Sequence, residues 1–309
     1  MITVFTPTYN RAHLLPNLYE SLKLQTFKDF EWLIIDDGST DNTKIHVKKW
    51  AKETSFDIKY VYQENGGKHR AINRGVRIAH GELFFIVDSD DILPKDALET
   101  NWRYYEQIRD DDRFAGVCGL KAYYDGTMVQ PKVGYDILDC KSLDYNFRLK
   151  LYGGKAEAFK TAIVRKFPFP EFPNENFCAE SAVWNKIGAE YYLRYFNKVV
   201  YQCEFQENGL SANSLRLRIM NPKSAMYVYR DLSEYDVPLL VRLKSAVNYW
   251  RFYYCVKSKD YPKIAYAYYP FSFIGMIIHL FDKKVSRKRL KIGKERGFYN
   301  RNCNSLKND

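Results

Sequence analysis

Three carboxylates follow an apolar run in the first third of the chain. The run, residues 83–87, reads Leu-Phe-Phe-Ile-Val, and Asp88, Asp90 and Asp91 come after it. Its apolar residues do not alternate with polar ones, which predicts a strand buried on both faces with the carboxylates at its C-terminal end. On an extended chain Asp88 and Asp90 point the same way, which suits a hard divalent cation held jointly with substrate phosphates. An acidic turn in which Asp91 caps the next helix is the alternative.

Strands and helices that would position these residues alternate along the first 110 residues. Apolar runs predict strands over residues 2–6, 31–35, 58–62 and 83–87, the first of them ended by Pro7. Apolar spacing and helix-start signals predict helices over residues 11–25, 41–53, 68–79 and 94–109. This alternation predicts an α/β fold with a mainly parallel sheet, helices on both faces and the strand ends on one rim.

The pattern changes in the second part of the chain. We expect a strand pair over 114–124, an irregular segment over 131–178, a helix over 180–189 and a strand over 199–205. Residues 222–258 are predicted to be helical, with a break near Pro238. The chain therefore continues as a less regular α/β segment followed by helices.

Polar and glycine residues follow each of the first four predicted strands. In chain order they are Thr6, Pro7, Thr8, Tyr9 and Asn10, then Asp36 and Asp37, then Asn65, Gly66, Gly67 and Lys68, and finally Asp88 and Asp90. An aromatic ring can stack on a nucleobase, a carboxylate can accept the imide N–H of uracil, and glycines let the backbone approach a phosphate beside a lysine charge. These are the components of a nucleoside-diphosphate site with a metal ion.

Four of these segments resemble the motifs of a known family. V-F-T-P-T-Y-N-R, L-I-I-D-D-G-S-T-D, N-G-G-K and V-D-S-D-D are similar in order and spacing to those of the family 2 glycosyltransferases. The resemblance is strong over residues 1–110 and weaker to about residue 215. It implies a GT-A fold and a metal-dependent, inverting transfer of a sugar from a UDP-sugar to an acceptor hydroxyl. Bacterial members build surface polysaccharides such as O-antigen and capsule.

The resemblance also implies a division of the chain. The expected catalytic domain is 1–215, with a nucleotide-binding half over about 1–110 and an acceptor half over about 111–215. A helical C-terminal region is expected over 216–309.

Roles for the rim residues follow from the resemblance. Thr6, Pro7 and Tyr9 would cradle uracil, partly through their backbone, and Asp37 would bind the edge of the base. Asp88 would bind the ribose and would share with Asp90 an Mg²⁺ or Mn²⁺ ion on the diphosphate. Two further rim residues, Gly67 and Lys68, would lie against the nucleotide.

Some neighbouring residues have a simpler interpretation. Lys68 could equally be a solvated lysine at a helix start. Asp36 is expected to form the turn at Gly38-Ser39, and His69 is expected on the surface of its helix.

The acceptor side is expected to supply a general base. Relatives often carry Glu-Asp at the start of a late helix, whereas this chain has Glu180 followed by Ser181, which cannot act as a base at neutral pH. Glu180 is therefore the expected base, with Glu157 in reserve. A helix-start acid favoured by the helix dipole is the alternative for Glu180, and Trp184 is expected to be a core residue rather than a sugar platform.

The segment 264–281 carries no formal charge and precedes a basic cluster. Residues 283–301 contain nine Lys/Arg and one Glu, out of a net charge of +11 for the whole chain. Aromatic residues beside basic ones favour a helix lying in the headgroup layer of an anionic membrane, over 264–301. A helix buried against the catalytic domain and a true membrane span are the alternatives. By resemblance, the acceptor would be a glycan or lipid-linked glycan at the inner face of the membrane.

Two other functions compete with glycosyl transfer. A nucleotidyltransferase would need a Gly-rich, basic loop after the first strand, where Pro7 and Tyr9 stand. A nucleic-acid binder would spread basic residues over one face, whereas here they cluster in the tail, so no nucleic-acid partner is expected. Six cysteines without a C-x-x-C pair indicate reduced thiols, and Met1 leads directly into a strand without an expected signal peptide. Both favour a cytoplasmic, peripheral location.

Overall fold

A computed structural model describes residues 1–130, 132–204 and 213–295, with side chains placed through residue 284. Within these residues eight strands form one sheet. The strands are β1 Ile2–Thr8, β2 Phe30–Asp36, β3 Asp57–Tyr62, β4 Leu83–Ile86, β5 Phe114–Tyr123, β6 Ile137–Lys141, β7 Lys155–Lys160 and β8 Tyr192–Cys203.

Helices flank the sheet and form the C-terminal region. They are α1 Leu15–Lys23, α2 Thr43–Glu53, α3 Lys68–Ile78, α4 Ala97–Glu106, α5 Ser142–Phe147, α6 Thr161–Val164, α7 Ser181–Glu190, α8 Ser214–Met220, α9 Pro222–Glu234, α10 Leu239–Tyr253 and α11 Ser272–Glu295. A 3₁₀ turn, Tyr266–Phe271, precedes α11.

The strand order is β3-β2-β1-β4-β7-β5-β8-β6. Parallel pairs join β1 to β2 and β4, β2 to β3, and β5 to β8. Strand β7 lies antiparallel between β4 and β5, and β6 lies antiparallel to β8. The prediction of a mixed, mainly parallel sheet flanked by helices, with helices at the C-terminal end, is confirmed. The first four predicted strands lie side by side, so their C-terminal ends share one rim.

Two hydrophobic cores cover the two faces of the sheet. Successive residues of a strand point to opposite faces, so Val4 packs with Leu18 and Trp32 on one side, whereas Phe5 packs with Ile72 on the other. All seven residues of β1 are buried. Burial on both faces is the physical reason why the strand is mainly apolar and why even its threonines are covered.

Pro7 does not end the first strand as expected, because β1 continues to Thr8. The carbonyl of Phe5 accepts the N–H of Val87, so Phe5 and, two residues later, Pro7 face β4. Pairing between β1 and β4 ends at Phe5 and Ile86. The missing N–H of Pro7 therefore points where no ladder hydrogen bond is needed.

The second half of the sheet departs most from the sequence expectations. Strand β8 begins at Tyr192, seven residues before the predicted start. The expected pair over 114–124 is the single strand β5, followed by a turn and one bridge between Ala122 and Met128. The segment expected to be irregular contains β6 and β7. These short strands depend on long-range pairing with β8, β4 and β5, which local patterns do not encode.

The C-terminal helices form a small core of their own. Met226, Tyr249 and Trp250 pack there with Ile264 and Tyr268, and α9 also packs against α7. The predicted break at Pro238 is confirmed, since α9 ends at Glu234 and α10 begins at Leu239. The boundary at residue 215 stays a prediction, and it falls near the start of α8.

Candidate active site

The end of β4 carries the three carboxylates predicted there. Tyr201 Oη accepts the backbone N–H of Asp88 at 3.0 Å and donates to Asp91 Oδ2 at 2.6 Å. Asp91 is buried, and this burial, with the Asp88 charge beside it, raises its pKa to about 7. Asp91 is thus a structural carboxyl beneath the rim. Its predicted capping role is wrong, because α4 begins only at Ala97.

Lys68 joins two of the predicted site residues. Its Nζ lies 2.6 Å from Asp88 Oδ1 and 2.7 Å from Glu180 Oε1, and its side chain is 22% exposed. Burial alone would lower the pKa of Lys68, but the two carboxylates outweigh it and raise that pKa above its usual range. Burial alone would raise the pKa of Asp88, but the positive charge of Lys68 outweighs burial, and the pKa of Asp88 lies below its usual value. Lys68 is therefore an ion-paired residue and not a solvated lysine.

Asp90 is balanced by a different cation. Arg11 Nη1 lies 3.2 Å from Asp90 Oδ2, and Tyr124 Oη donates to the Asp90 carbonyl at 2.8 Å. Both carboxylates proposed for the metal are thus partly exposed and compensated by positive charge.

The donor set at this point fits a hard divalent cation. Asp88 and Asp90 present carboxylate oxygens at the rim, which Mg²⁺ and Mn²⁺ prefer. Among the described residues, no group of three or more His, Cys, Asp or Glu side chains could hold a metal by itself. Two carboxylates do not fill the coordination sphere of such an ion, and oxygens from phosphates or water would suit its remaining positions.

Asp36 and Asp37 organise the neighbouring loops. Asp36 Oδ1 accepts the N–H of Ser39 at 2.8 Å, as expected for turn formation. The buried Asp37 carboxylate accepts the backbone N–H groups of Gly66 and Gly67 at 2.9 and 2.7 Å, and the Gln63 side chain at 2.7 Å. Asp37 therefore fixes the loop that carries Lys68. One lone pair of its Oδ2 remains for a further donor such as a base N–H.

Gly67 is required by its surroundings. Its φ is +97°, and an added Cβ would lie 1.8 Å from the carbonyl oxygen of Asn176. The structure places this glycine against the segment before α7, so its close approach is to the protein's own backbone.

The residues expected around uracil differ in what they can offer. The hydroxyl of Thr6 is buried and accepts a hydrogen bond from Trp32 Nε1 at 3.0 Å, and Pro7 is buried as well. Thr6 is 0% exposed as a whole residue, so neither its hydroxyl nor its backbone is open to a base, contrary to the expectation that it helps to cradle uracil. Tyr9 is 49% exposed and its ring is available for stacking.

His69 was expected on a helix surface, and this expectation is wrong. The side chain is 1% exposed, and neither ring nitrogen has a hydrogen-bond partner among the described residues. Burial, with the Arg70 charge, lowers the pKa of His69 to about 4. The helical pattern did not predict this burial, because the segment that covers α3 here, around Glu171, lies about a hundred residues later in the sequence.

Both candidate bases line one cleft of about 310 Å³. Its lining includes Ser142, Asn146, Gly153, Lys155, Glu157, Phe159, Glu180, Ser181, Trp184, Asn185 and Leu193. Glu180 is 40% exposed, and its Oε2 accepts Trp184 Nε1 at 3.3 Å. Glu157 is less exposed and lies 3.7 Å from Lys155. Of the two, Glu180 is the one joined to the rim of β4 through Lys68.

Trp184 packs as a core residue while one side faces this cleft. Its ring stacks on Phe159 at 4.6 Å and meets Phe169 edge-on at 5.6 Å. The expected core packing is confirmed, and the same ring forms part of the cleft wall.

Sequence reasoning missed three residues of the rim. Arg11, which pairs with Asp90, stands inside the first motif and could have been recognised there. Lys121 lies 3.9 Å above the ring of Tyr201 and contributes positive charge near Asp88. Tyr201 is the third of these residues. Lys121 belongs to β5 and Tyr201 to β8, and only the sheet order brings them to the end of β4.

Comparison with known proteins agrees with this geometry. A family model described as glycosyl transferase family 2 matches residues 3–163, more than half of the chain. The chain belongs to glycosyltransferase family 2. The family predicted from the four motifs is thereby confirmed. The site is therefore interpreted as that of a glycosyltransferase and not as that of a nucleotidyltransferase or a nucleic-acid binder.

Curated relatives of this family 2 protein are bacterial glycosyltransferases. Glycosyltransferase GlyG of Streptococcus pneumoniae is 35% identical over 113 residues, which cover 36% of this chain and 36% of GlyG. The aligned part thus spans about a third of each protein.

Solved structures show the same fold at low identity. The Staphylococcus aureus TarS fragment 1–349 in complex with UDP has a TM-score of 0.60 and 20% identity, covering 83% of this chain and 72% of that fragment. The mannosyltransferase PcManGT of Pyrobaculum calidifontis, in complex with GDP-Man and Mn²⁺, has a TM-score of 0.54 and 17% identity, covering 91% and 87%. The predicted GT-A fold is confirmed.

Proposed function

We propose that this protein transfers a sugar from a UDP-sugar to an acceptor hydroxyl with inversion at the anomeric carbon. The observation that carries the proposal is the Lys68 ammonium, which contacts both Asp88 and Glu180. A carboxylate suited to the donor and a carboxylate suited to the acceptor therefore face one another across a single side chain, beside an open cleft. A direct displacement needs the donor and the acceptor to be held side by side, which this arrangement would favour.

The donor would lie along the rim formed by β1, β2 and β4. Tyr9 would stack on the base, and the free lone pair of Asp37 would accept the imide N–H of uracil. Cytosine lacks that N–H. Two solved relatives of the fold hold UDP and GDP-Man respectively, which supports a nucleotide-sugar donor, while the choice of uracil depends on Tyr9 and Asp37.

Asp88 and Asp90 would hold Mg²⁺ or Mn²⁺ together with the diphosphate, and Asp88 would also lie near the ribose. When bound, such an ion neutralises charge on the departing diphosphate. Arg11 and Lys121 would add positive charge at the same edge, because both already lie near these carboxylates.

Glu180 would act as the general base. Its carboxylate would take the proton of the acceptor hydroxyl as that oxygen bonds to the anomeric carbon, while the bond from this carbon to the diphosphate oxygen breaks. One displacement turns an α-linked donor into a β-linked product. Ser181 lines the cleft beside it but cannot take the proton, and Glu157 remains the second candidate.

A membrane-facing role for the C-terminal region is supported by the two faces of α11. The face against α10 is formed by Gly275, His279 and Asp282. The opposite face exposes large apolar side chains, namely Phe273, Ile274, Ile277, Leu280 and Phe281. A helix that docks through small and polar residues and exposes apolar ones is suited to a lipid surface.

Charge adds to this surface. Lys283 and Lys284 are exposed at the end of the apolar face. Of the predicted basic stripe, the side chains of Arg287, Lys288 and Lys291 lie outside the described part, as does all of 296–309. No helix in the described ranges has the length and apolar content needed to cross a bilayer. Peripheral binding to an anionic membrane would bring the cleft close to a lipid-linked glycan acceptor at the cytoplasmic face.

The direct experiment is a nucleotide screen with Mn²⁺. UDP at about 100 times its dissociation constant should stabilise the protein by roughly 2.7 kcal/mol, and CDP and GDP should stabilise it less at equal concentration. UDP-sugars that protect would then be tested for hydrolysis and for transfer to glycan acceptors. Protection by GDP or CDP above that by UDP would reject the uracil assignment, and protection by no nucleotide would reject the proposed function.

A further inference from the structure

Lys68 connects the donor half of the site to the acceptor half. Resting on the proposed function, we propose that the Lys68 ammonium is an internal counter-ion that the metal-bound nucleotide displaces from Asp88. In the empty site it neutralises Asp88 and Glu180 together, at 2.6 and 2.7 Å. In the donor complex it stays with Glu180 and gains the diphosphate as its second partner. Lys68 is then a positioning residue, which keeps the base beside the donor.

The backbone of Lys68 is fixed, so only its side chain can move. Lys68 is the first residue of α3, and the N–H groups of Gly66 and Gly67 just before it are bound by the Asp37 carboxylate. Gly67 also lies directly against the Asn176 carbonyl. A lysine stem with several rotatable bonds can carry the ammonium a few ångströms while its Cα stays in place.

Charge explains why the contact with Asp88 should be exchangeable. A divalent cation bound to Asp88 and the Lys68 ammonium would be like charges at contact distance, which repel. Among the described residues, Asp88 and Glu180 are the carboxylates that Lys68 contacts, so a metal ion that binds Asp88 without nucleotide leaves the ammonium with one of its two partners and is disfavoured. The diphosphate removes this obstacle because it supplies negative charge for both cations. Metal and nucleotide should therefore bind together and each poorly alone.

The base is affected through the same contact. Glu180 Oε1 is bound by Lys68 and Oε2 by Trp184, so its carboxylate is held from both sides. Once Asp88 is occupied by the metal, Lys68 bridges Glu180 to the diphosphate instead. The position of the base is thereby coupled to the presence of the donor.

The test measures Mn²⁺ binding with and without UDP, by the EPR signal of free Mn²⁺ and by calorimetry. The full chain is compared with Lys68→Met, which removes the charge, and with Lys68→Arg, which keeps it. Lys186→Met is a matched control, because Lys186 pairs with Asp231 away from the site. Thermal unfolding verifies that each variant is folded. Should Lys68→Met not fold, Lys68→Gln makes the same comparison.

In the unchanged protein, UDP should tighten Mn²⁺ binding strongly. In Lys68→Met, Mn²⁺ without UDP should bind about tenfold tighter, as expected for removing one positive charge at a partly exposed site. The enhancement by UDP should shrink accordingly, while Lys68→Arg and Lys186→Met should keep the original pattern. Mn²⁺ binding without UDP that is no tighter in Lys68→Met, in a protein that does bind Mn²⁺ and UDP, would overturn the inference and leave the proposed function standing. A parent chain that binds no nucleotide would instead overturn the proposed function.

Discussion

Arg251 and Asp282 join α10 to α11 through two N–H···O bonds of 2.6 and 2.7 Å. This ion pair is partly buried and fixes which face of α11 meets the protein. Because the docking face is polar, the apolar residues of α11 are left on the outside. The buried-helix alternative placed this segment against the catalytic domain, whereas α11 packs on α10, and the membrane expectation stays a prediction about the exposed face.

The outer face of α11 should bind anionic liposomes. We expect the protein to pellet with these liposomes at low salt. High salt should weaken this binding without abolishing it, since salt screens charges but does not prevent the burial of apolar side chains. Replacing Phe273, Ile277 and Phe281 by Ser should reduce liposome partitioning by about 100-fold, at roughly 1 kcal/mol per partly inserted side chain. Sedimentation with vesicles measures this.

Ile45→Ser on α2 serves as the matched control, because Ile45 is also an exposed isoleucine of a helix. Substitution is a sharper test than truncation at residue 262, since Ile264 and Tyr268 belong to the C-terminal core. Equal partitioning of the triple variant and the parent protein would reject the membrane proposal.

Glu180→Gln should separate catalysis from donor binding. The amide keeps the size of the side chain but cannot take a proton, so transfer should fall by about 10²–10⁴-fold, while UDP-sugar affinity changes little. Glu157→Gln in the same cleft is the comparison. Steady-state rates measure catalysis and calorimetry measures donor binding for both variants. Near-normal turnover of Glu180→Gln with loss of turnover in Glu157→Gln would assign the base to Glu157.

Asp90→Ala should remove metal-dependent UDP binding. The side chain is partly exposed and its contact with Arg11 is a weak surface pair, so unfolding free energy should change by less than about 1 kcal/mol. Calorimetry of UDP binding with and without Mn²⁺ provides the measurement. Unchanged Mn²⁺-dependent affinity would rule out Asp90 as a ligand.

The buried His69 should contribute a loss of stability in mild acid, opposite in sign to the contribution of Asp91, whose pKa of about 7 in the folded chain favours the folded state as the pH falls. The pKa of His69 in the folded chain is about 4, below the value of about 6.5 expected in the unfolded chain. The unfolded state therefore takes up a proton first as the pH falls below about 6.5, and stability declines until the folded pKa is reached. Between pH 7.5 and pH 5 this should cost about 2 kcal/mol.

His69→Leu should remove that part of the decline, and urea unfolding at the two pH values measures it. His13→Gln is the control, because His13 is exposed. The same pH dependence in His69→Leu as in the parent chain would show that His69 is not its source.

The sequence by itself determined the first half of the sheet and the identity of the rim. The largely apolar sequences of β1, β2 and β4 indicate burial on both faces, and the polar residues after them must then lie at one edge. That logic needs only local patterns, which is why the place of Asp88 and Asp90 after β4 and the turn at Asp36 were predicted correctly, while the roles of the two carboxylates stay predictions. Four motifs in order were sufficient to predict the family.

The tertiary structure decided everything that depends on distant segments meeting. Strand β7 lies between β4 and β5, and only this order brings Glu157 and Glu180 to one cleft and Lys121 to the rim. The ion pairs of Lys68 join residues that are 20 and 112 positions away, and His69 is buried by a segment a hundred residues later. Periodicity reports which face of an element is buried against its own sheet. It carries no record of which remote loop covers the other face, because that choice is made by the packing of the whole chain.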